Sequence, residues 1–497
     1  MSYLLSKTRP TGNSSPNTLV HLLDDDSLLI IFSFCRPVIL GESEADYFRL
    51  IEGGEWSRER WWYRLIQVCR RWRYLVLDSA FHLKVSLVCG RGTPVADMLA
   101  HSPPVPLIID HIDEEYHVLT PEDEKGIIFA LQYRDRIRRI RITKSNSILQ
   151  KLIIALDGEF PILEYLLISN RRAARPFIDL IPNFNFPETF RASHLRQLWL
   201  DNFATPIESP ILMTMGNLVT LWLTSIPSSA YVHPNVLLQR LSLMPQLETL
   251  GIGFHCFNPR HDVEKQLLRT PITTRVTLPN LHWLMFDGTS AYLEALLPWL
   301  TIPLLEKLHT HFYNQMVYSI PHLRQFMNTA GKLRPRAAVV VFDKDYITLS
   351  AYPNMTMSEA GFCTLNLALG GRHIDWQVVS AAQVFHALKT VFSAVERLHL
   401  QYDRHNISSE WNRQADSDRT YWREFLGSFG NVKTLRIVEY ELVEQVSLAL
   451  QPGEGGSPME LFPELQELSY PRRGGSAFTS FIDARRKAGR PVTENRF

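Results

Sequence analysis

A short apolar phrase recurs along most of this chain and constrains what it can fold into. An apolar residue is followed by two variable residues, a second apolar residue, one variable residue and a third apolar residue. The phrase reads Ile137-Ile140-Ile142, Leu163-Leu166-Ile168, Leu195-Leu198-Leu200, Leu218-Leu221-Leu223, Leu247-Leu250-Ile252 and Leu281-Leu284-Phe286. It returns as Val395-Leu398-Leu400, Val432-Leu435-Ile437 and Leu465-Leu468-Tyr470, and Leu305-Leu308 is a weaker copy with Thr310 third. Its last two apolar slots are two residues apart, so both side chains fall on one face of a strand.

One copy would mean little in a leucine-rich chain, but several share a leader. Phe160-Pro161, Met244-Pro245, Leu278-Pro279, Ile302-Pro303 and Phe462-Pro463 each sit just ahead of a copy. Proline there ends a preceding helix and launches an extended segment. From 137 to 305 the copies start 23 to 34 residues apart. That period, with this phrase, is the signature of leucine-rich repeats, and its wandering step predicts irregular ones. The gap from 305 to 395 holds two strand-like runs, Val339–Phe342 and Thr364–Leu369, at about the places needed to fill it. Shorter apolar runs, Val85–Val88 and Val105–Ile109, precede the first copy.

A chain of 497 residues is far too long for one ordinary core, which agrees with a repetitive unit. Hydrophobic residues at 45% and charged residues at 21% give a globular profile. A formal charge of +1 provides no strong field for nucleic acid or acidic lipid, so neither partner is expected. The five cysteines, Cys35, Cys69, Cys89, Cys256 and Cys363, form no CxxC pair, which excludes a disulfide framework and points to a reducing compartment. No run approaches about 18 apolar residues. Tyr292 to Leu308, the greasiest, carries Glu294, Pro298, Pro303 and Glu306. Residues 1–18 read as a disordered polar tail without a signal-peptide core, and the expected location is cytoplasmic or nuclear. The sequons at Asn13, Asn354 and Asn406 are then chance matches.

Ahead of the repeats, from Leu19 to about Leu83, the period is helical. Leu28, Ile31, Phe32 and Cys35 fall on one predicted helix face, with Asp24, Asp25 and Asp26 supplying a cap and negative charge at its start. Pro37 marks the expected stop, and a loop with Gly41, Gly53 and Gly54 follows. The period resumes through Trp61, Leu65, Val68 and Trp72. So few apolar positions make a poor core, and the unit is expected to lean on its neighbour or a partner.

These residues resemble a known family. Leu23-Asp24-Asp25-Asp26-Ser27-Leu28-Leu29-Ile30-Ile31-Phe32 resembles the first helix of an F-box, usually L-P-x-E-[IVL]-L-x-x-I-F, with Asp24 standing where the family has proline. Val68-Cys69-Arg70-Arg71-Trp72-Arg73 resembles the family's V-C-[KR]-x-W segment, and Ser79-Ala80-Phe81 its exit. The whole chain resembles the F-box proteins with irregular leucine-rich repeats that are numerous in mushroom-forming fungi; GRHIDWQVVSAAQVF and FIDARRKAGRPV are similar to that group too.

The resemblance implies an α/β protein. An all-helical F-box at 19–84, with an insertion at about 36–60, precedes an irregular leucine-rich-repeat solenoid at 85–480, parallel strands on the concave face and helices or loops outside; 481–497 is a C-terminal tail. It also implies a substrate-recognition subunit of an SCF-type ubiquitin ligase. Leu23, Leu28, Leu29, Ile31, Phe32, Val68, Cys69 and Trp72 would dock on a Skp-type adaptor, and through it on a cullin and a RING protein. The receptor would perform no chemistry and would raise the local concentration of target lysines. The alternative is a non-catalytic interaction scaffold that does not bind the adaptor.

No Walker loop, GxGxxG after a strand, GxSxG elbow or HExxH occurs, so no enzyme, cofactor or metal is expected. Gln451–Pro458 lacks a phosphate-loop lysine and reads as a turn. His111, Asp113 and His117 read as a solvated acidic loop, and His309, His311 and His322 as surface or satisfied histidines. Arg136, Arg138, Arg139 and Arg141, like Arg171, Arg172 and Arg175, read as solvated basic faces. Cys69 reads as a small buried hydrophobe on a helix. The expected target surface is the fifth slot of the phrase, facing away from the core. It holds Trp199, Trp222 and Met285, extended by Trp283, with Trp199 and Trp222 side by side; the alternative is that a loop or the C-terminal tail covers these rings and they are core.

Overall fold

Wherever the phrase occurs among the described residues, it forms a strand whose second and third slots are buried, as strand alternation requires. The computed structural model describes residues 23–36, 61–111, 120–144, 146–170, 186–203, 209–213, 216–227, 230–254, 271–313, 315, 317–353, 363–371, 374–403, 419–451 and 461–497. The expected polar tail, the 37–60 insertion, Asp113, His117, Cys256, Arg171, Arg172, Arg175 and the 452–458 turn lie outside them. The chain divides into two compact units, Met1–Leu221 and Trp222–Phe497.

In the first unit, β1 (Leu87–Cys89), β2 (Leu107–His111), β3 (Ile137–Lys144), β4 (Tyr165–Asn170) and β5 (Gln197–Asp201) pair in chain order, all parallel. The register stacks equivalent slots: Ile140 against Leu166 against Leu198, and Ile142 against Ile168 against Leu200. Parallel neighbours need a return crossover, and the helices Val95–His101, Pro121–Leu131 and Asn146–Ala155 supply three of them. Pro121–Leu131 starts where its sequence dictates: Thr120 caps it, Asp123 closes a capping box and Pro121 sits at its first position.

The proline leaders have a definite job. The carbonyls of Phe160, Met244, Leu278 and Phe462 accept from the N–H three residues on, at Leu163, Leu247, Leu281 and Leu465. Each leader is a β-turn with proline at its second position, where a fixed φ is favourable. The residue before the proline is buried under the turn, which anchors the entry to each strand.

Strand β6 (Thr220–Ile226) carries the boundary between the units. In the second unit lie β7 (Thr249–Phe254), β8 (Val276–Thr277), β9 (Trp283–Gly288), β10 (Leu300–Thr301), β11 (Lys307–Phe312), β12 (Ala337–Phe342), β13 (Tyr346–Tyr352), β14 (Leu365–Gly370), β15 (Arg397–Tyr402), β16 (Thr434–Ile437), β17 (Glu467–Tyr470) and β18 (Thr493–Arg496). Their spatial order is β7-β9-β11-β14-β13-β12-β15-β16-β17-β18, and β8 pairs separately with β10.

The 305–395 gap corrects the expectation of two further repeats. Beyond β11 it holds three strands, and β13 runs antiparallel to both β12 and β14. Only Asp343, Lys344 and Asp345 join β12 to β13, too short a link for a crossover, so the chain must turn back on itself. Strand β14 then fills the place beside β11, parallel to it. The expected tail at 481–497 is a second correction. Thr479–Lys487 is helical, and β18 adds a last parallel strand beside β17.

The N-terminal unit is helical, as expected: α1 (Asp25–Phe34), α2 (Trp62–Leu65) and α3 (Arg70–Asp78). Asp24 caps α1 by accepting from the Ser27 N–H at 2.7 Å. The expected second helix is broken at Cys69, whose sulfur caps α3 by accepting from the Trp72 N–H; Cys69 is half-buried rather than a core residue. Phe32 meets Trp72 edge-on at 4.7 Å, and Arg71 binds Asp25 at 2.6 Å and the Leu23 carbonyl. The unit leans on its neighbour through Trp62, not Trp61: the buried indole N–H donates to the Ser86 carbonyl at 3.1 Å.

Leu250, wholly buried in its slot, is a direct check. Leu250→Ala should cost about 2–5 kcal/mol in urea unfolding, and a loss under about 0.5 kcal/mol would contradict the packed slot.

Candidate functional site

Of the residues expected on the docking surface, Leu28 and Phe32 point inward and are fully buried. Leu23, Leu29, Cys69 and Trp72 are half-buried, and Ile31 and Val68 are exposed. Ile31 and Cys35, expected on the same face as Leu28, are both exposed. The structure adds exposed residues that the sequence reading missed: Ile30, Tyr74, Phe34 at 83% and Phe81 at 84%. The missed signal is the run Leu28-Leu29-Ile30-Ile31-Phe32. Five consecutive apolar residues at 100° each go more than once round a helix, so one flank must face out. Ile30, Ile31 and Phe34 form that flank, opposite Leu28 and Phe32.

Across the first unit's sheet, the face away from the leucines is not the solvated basic patch expected. Buried Arg141 on β3 lies 3.4 Å from Asp110 on β2. Arg138 pairs with Glu164 at 2.9 Å, Arg136 donates to the Pro103 and Val105 carbonyls, and Arg139 lies over the Tyr165 ring. The register brings complementary groups together that sequence spacing could not show. His111 is likewise not solvated: it is buried at the end of β2, and loss of water pushes its pKa down to about 4.

The expected aromatic target surface is corrected as well. Trp199 is half-buried, but Trp222 is 1% exposed and Trp283 4%; Met285 is half-buried. Trp222 lies across Gly251 of β7, where an added Cβ would come within 2.0 Å of the indole, and meets Trp283 edge-on at 5.1 Å. A glycine in the same slot of the next copy leaves a hole, and the larger indole fills it.

The open face of the second unit carries perturbed titratable groups. Asp287 on β9 sits between Gly253 and His311 in register. Exclusion of water lifts its carboxyl to about 7, and no counter-charge opposes this. Burial lowers His311, and lowers His309 to about 4. His399 is pushed to about 4 by burial first, then by Arg436 and Arg397. His322 stands apart at the start of Pro321–Thr329, its N–H held by Glu294. Among the described residues no group of three or more His, Cys, Asp or Glu could hold a metal, and no helix is long and apolar enough to cross a membrane.

Parallel strands that bury the leucine phrase in stacked slots define a leucine-rich-repeat type of fold. No family model matches the chain, and no curated protein matches it. Among solved structures it is similar to LegL7, a leucine-rich repeat-containing protein from Legionella pneumophila, at 10% identity and a TM-score of 0.27, over 82% of this chain and 99% of that one. The repeat assignment rests on the register and the buried slots, not on this likeness.

Two outcomes test this geometry. Gly251→Ala should lower the melting temperature by several degrees, because Trp222 must be displaced; an unchanged midpoint would contradict the contact. Asp287 has a raised folded-state pKa, so its contribution to stability is complete below about pH 4 and is lost as pH rises through about 7. Asp287→Asn removes that titration. Its melting temperature should gain on the wild type between pH 5 and pH 8; a constant difference would contradict the raised carboxyl pKa.

Proposed function

We propose that this chain is a substrate-recognition subunit of an SCF-type ubiquitin ligase, its helical unit docking on a Skp-type adaptor and its repeats binding a target protein. The observation that carries the reading is the set of exposed apolar residues on the helical unit. Ile30, Ile31, Phe34, Val68, Tyr74 and Phe81 all face outward on a unit whose own interior is already filled by Leu28, Phe32, Leu75 and Val76. Surplus apolar surface of this kind fits a partner's helices. Asp24, where the F-box pattern has proline, supports the same helix start by capping it.

In this reading the chain contributes no catalytic group. It holds a target near the conjugating enzyme that the cullin and RING protein carry. A non-catalytic interaction scaffold is the coarser reading of the same repeat fold, and it is what remains if no adaptor complex forms.

The test uses outward residues, so that folding is spared. Ile31→Ser with Phe34→Ser should weaken capture of a co-expressed Skp-type adaptor at least tenfold while leaving the melting temperature within about 2 °C. Unchanged capture, or no complex with the wild type when both proteins are soluble, would contradict adaptor docking.

A further inference from the structure

We propose that Asp287 and His311, side by side on the open face of the second unit, form a subsite for one cationic side chain of a partner protein, a lysine ammonium or an arginine guanidinium. The proposal rests on the reading that the repeats receive a protein.

The strand register sets the geometry. Gly253, Asp287 and His311 are directly opposed on β7, β9 and β11. Gly253 offers only backbone, and an added Cβ there would stand 3.2 Å from both Cβ and Oδ2 of Asp287. The carboxylate therefore lies over bare strand, without a side chain from β7 to meet it. On its other side His311 has two rings near it, Tyr313 at 5.7 Å and Tyr346 at 6.1 Å, both edge-on. Tyr346 is itself exposed, so the group opens to solvent on that side.

What the site lacks is a cation of its own. Among the described residues no lysine or arginine pairs with the Asp287 carboxylate. Lys307, the lysine on the adjacent strand, is turned over the Trp283 ring at 5.4 Å. The first unit shows the usual solution for an acid in such a place: Asp110 is matched across strands by Arg141. A carboxylate withdrawn from water without a counter-charge is costly, and a cation brought by a ligand removes that cost. Burial lowers the His311 pKa and so favours the neutral ring, whose free nitrogen can accept from the same donor. Two acceptors and flanking aromatic rings suit an ammonium or guanidinium.

The test is calorimetry on the full chain at low salt with hexalysine amide as the probe. The wild type should bind hexalysine and ignore its fully acetylated form. Asp287→Asn should weaken binding at least tenfold, and His311→Gln, which keeps the carboxylate, at least threefold. Glu306→Gln removes an exposed acid paired with Lys332 elsewhere in the unit, and should leave the affinity within twofold. No hexalysine binding at millimolar concentration would overturn the subsite, as would unchanged affinity in Asp287→Asn or equal loss in Glu306→Gln. Adaptor capture by the same preparations reads separately. If it fails while hexalysine still binds through Asp287, the ligase reading falls and the subsite stands.

Discussion

Two parallel strands leave from the same end, so the chain must travel back the length of a strand before it can lay down the next one. That requirement organises both units. Each repeat spends part of its 23 to 34 residues on a return segment, often a helix, which packs over the stacked apolar slots. Proline turns then anchor the re-entry: Phe160, Met244, Leu278 and Phe462 are buried beneath them. The link from Asp343 to Asp345 is too short for such a return, and there parallel order fails and β13 runs backwards. Strand β18, with Thr493, Glu494, Asn495 and Arg496, pairs parallel to β17. At the N-terminal side the Trp62 indole ties the helical unit to the stretch entering β1.

Most of the repeat frame was legible because slots two residues apart translate directly into one buried strand face. Leu198, Leu200, Leu221, Leu250 and Ile252 all sit where that spacing puts them. The reversal at β13 was not legible from apolar runs: Val339–Phe342 looks the same whether its neighbour is parallel or antiparallel, and only the length of the link decides. The side chains on the open face were harder still. Whether Trp222 is exposed depends on what the next strand offers, and Gly251 offers a space. Arg141 looked like part of a basic face until the register set Asp110 beside it. In the helical unit the period found the helices but not their orientation. A run of five apolar residues has no single face, and packing against Trp72 selects Phe32 as the inward one.

The two surfaces named here differ in kind. The helical unit carries exposed apolar residues interleaved with charged ones such as Arg70 and Arg73, suited to burial against another protein's helices. The open face of the second unit is half-buried and polar, with histidines held neutral by exclusion of water and one carboxyl that lacks a counter-charge. An apolar patch supplies association free energy, whereas desolvated polar groups supply discrimination, because a wrong partner leaves them unpaired. The receptor proposed above would use both.

The central claim is that the helical unit is a docking surface for a Skp-type adaptor. Amide hydrogen exchange on the full chain, with and without the adaptor, tests it most directly. The account predicts new protection confined to 25–36 and 66–82, with the repeat strands unchanged. No complex, or protection that falls on the repeats and spares α1 and α3, would contradict it.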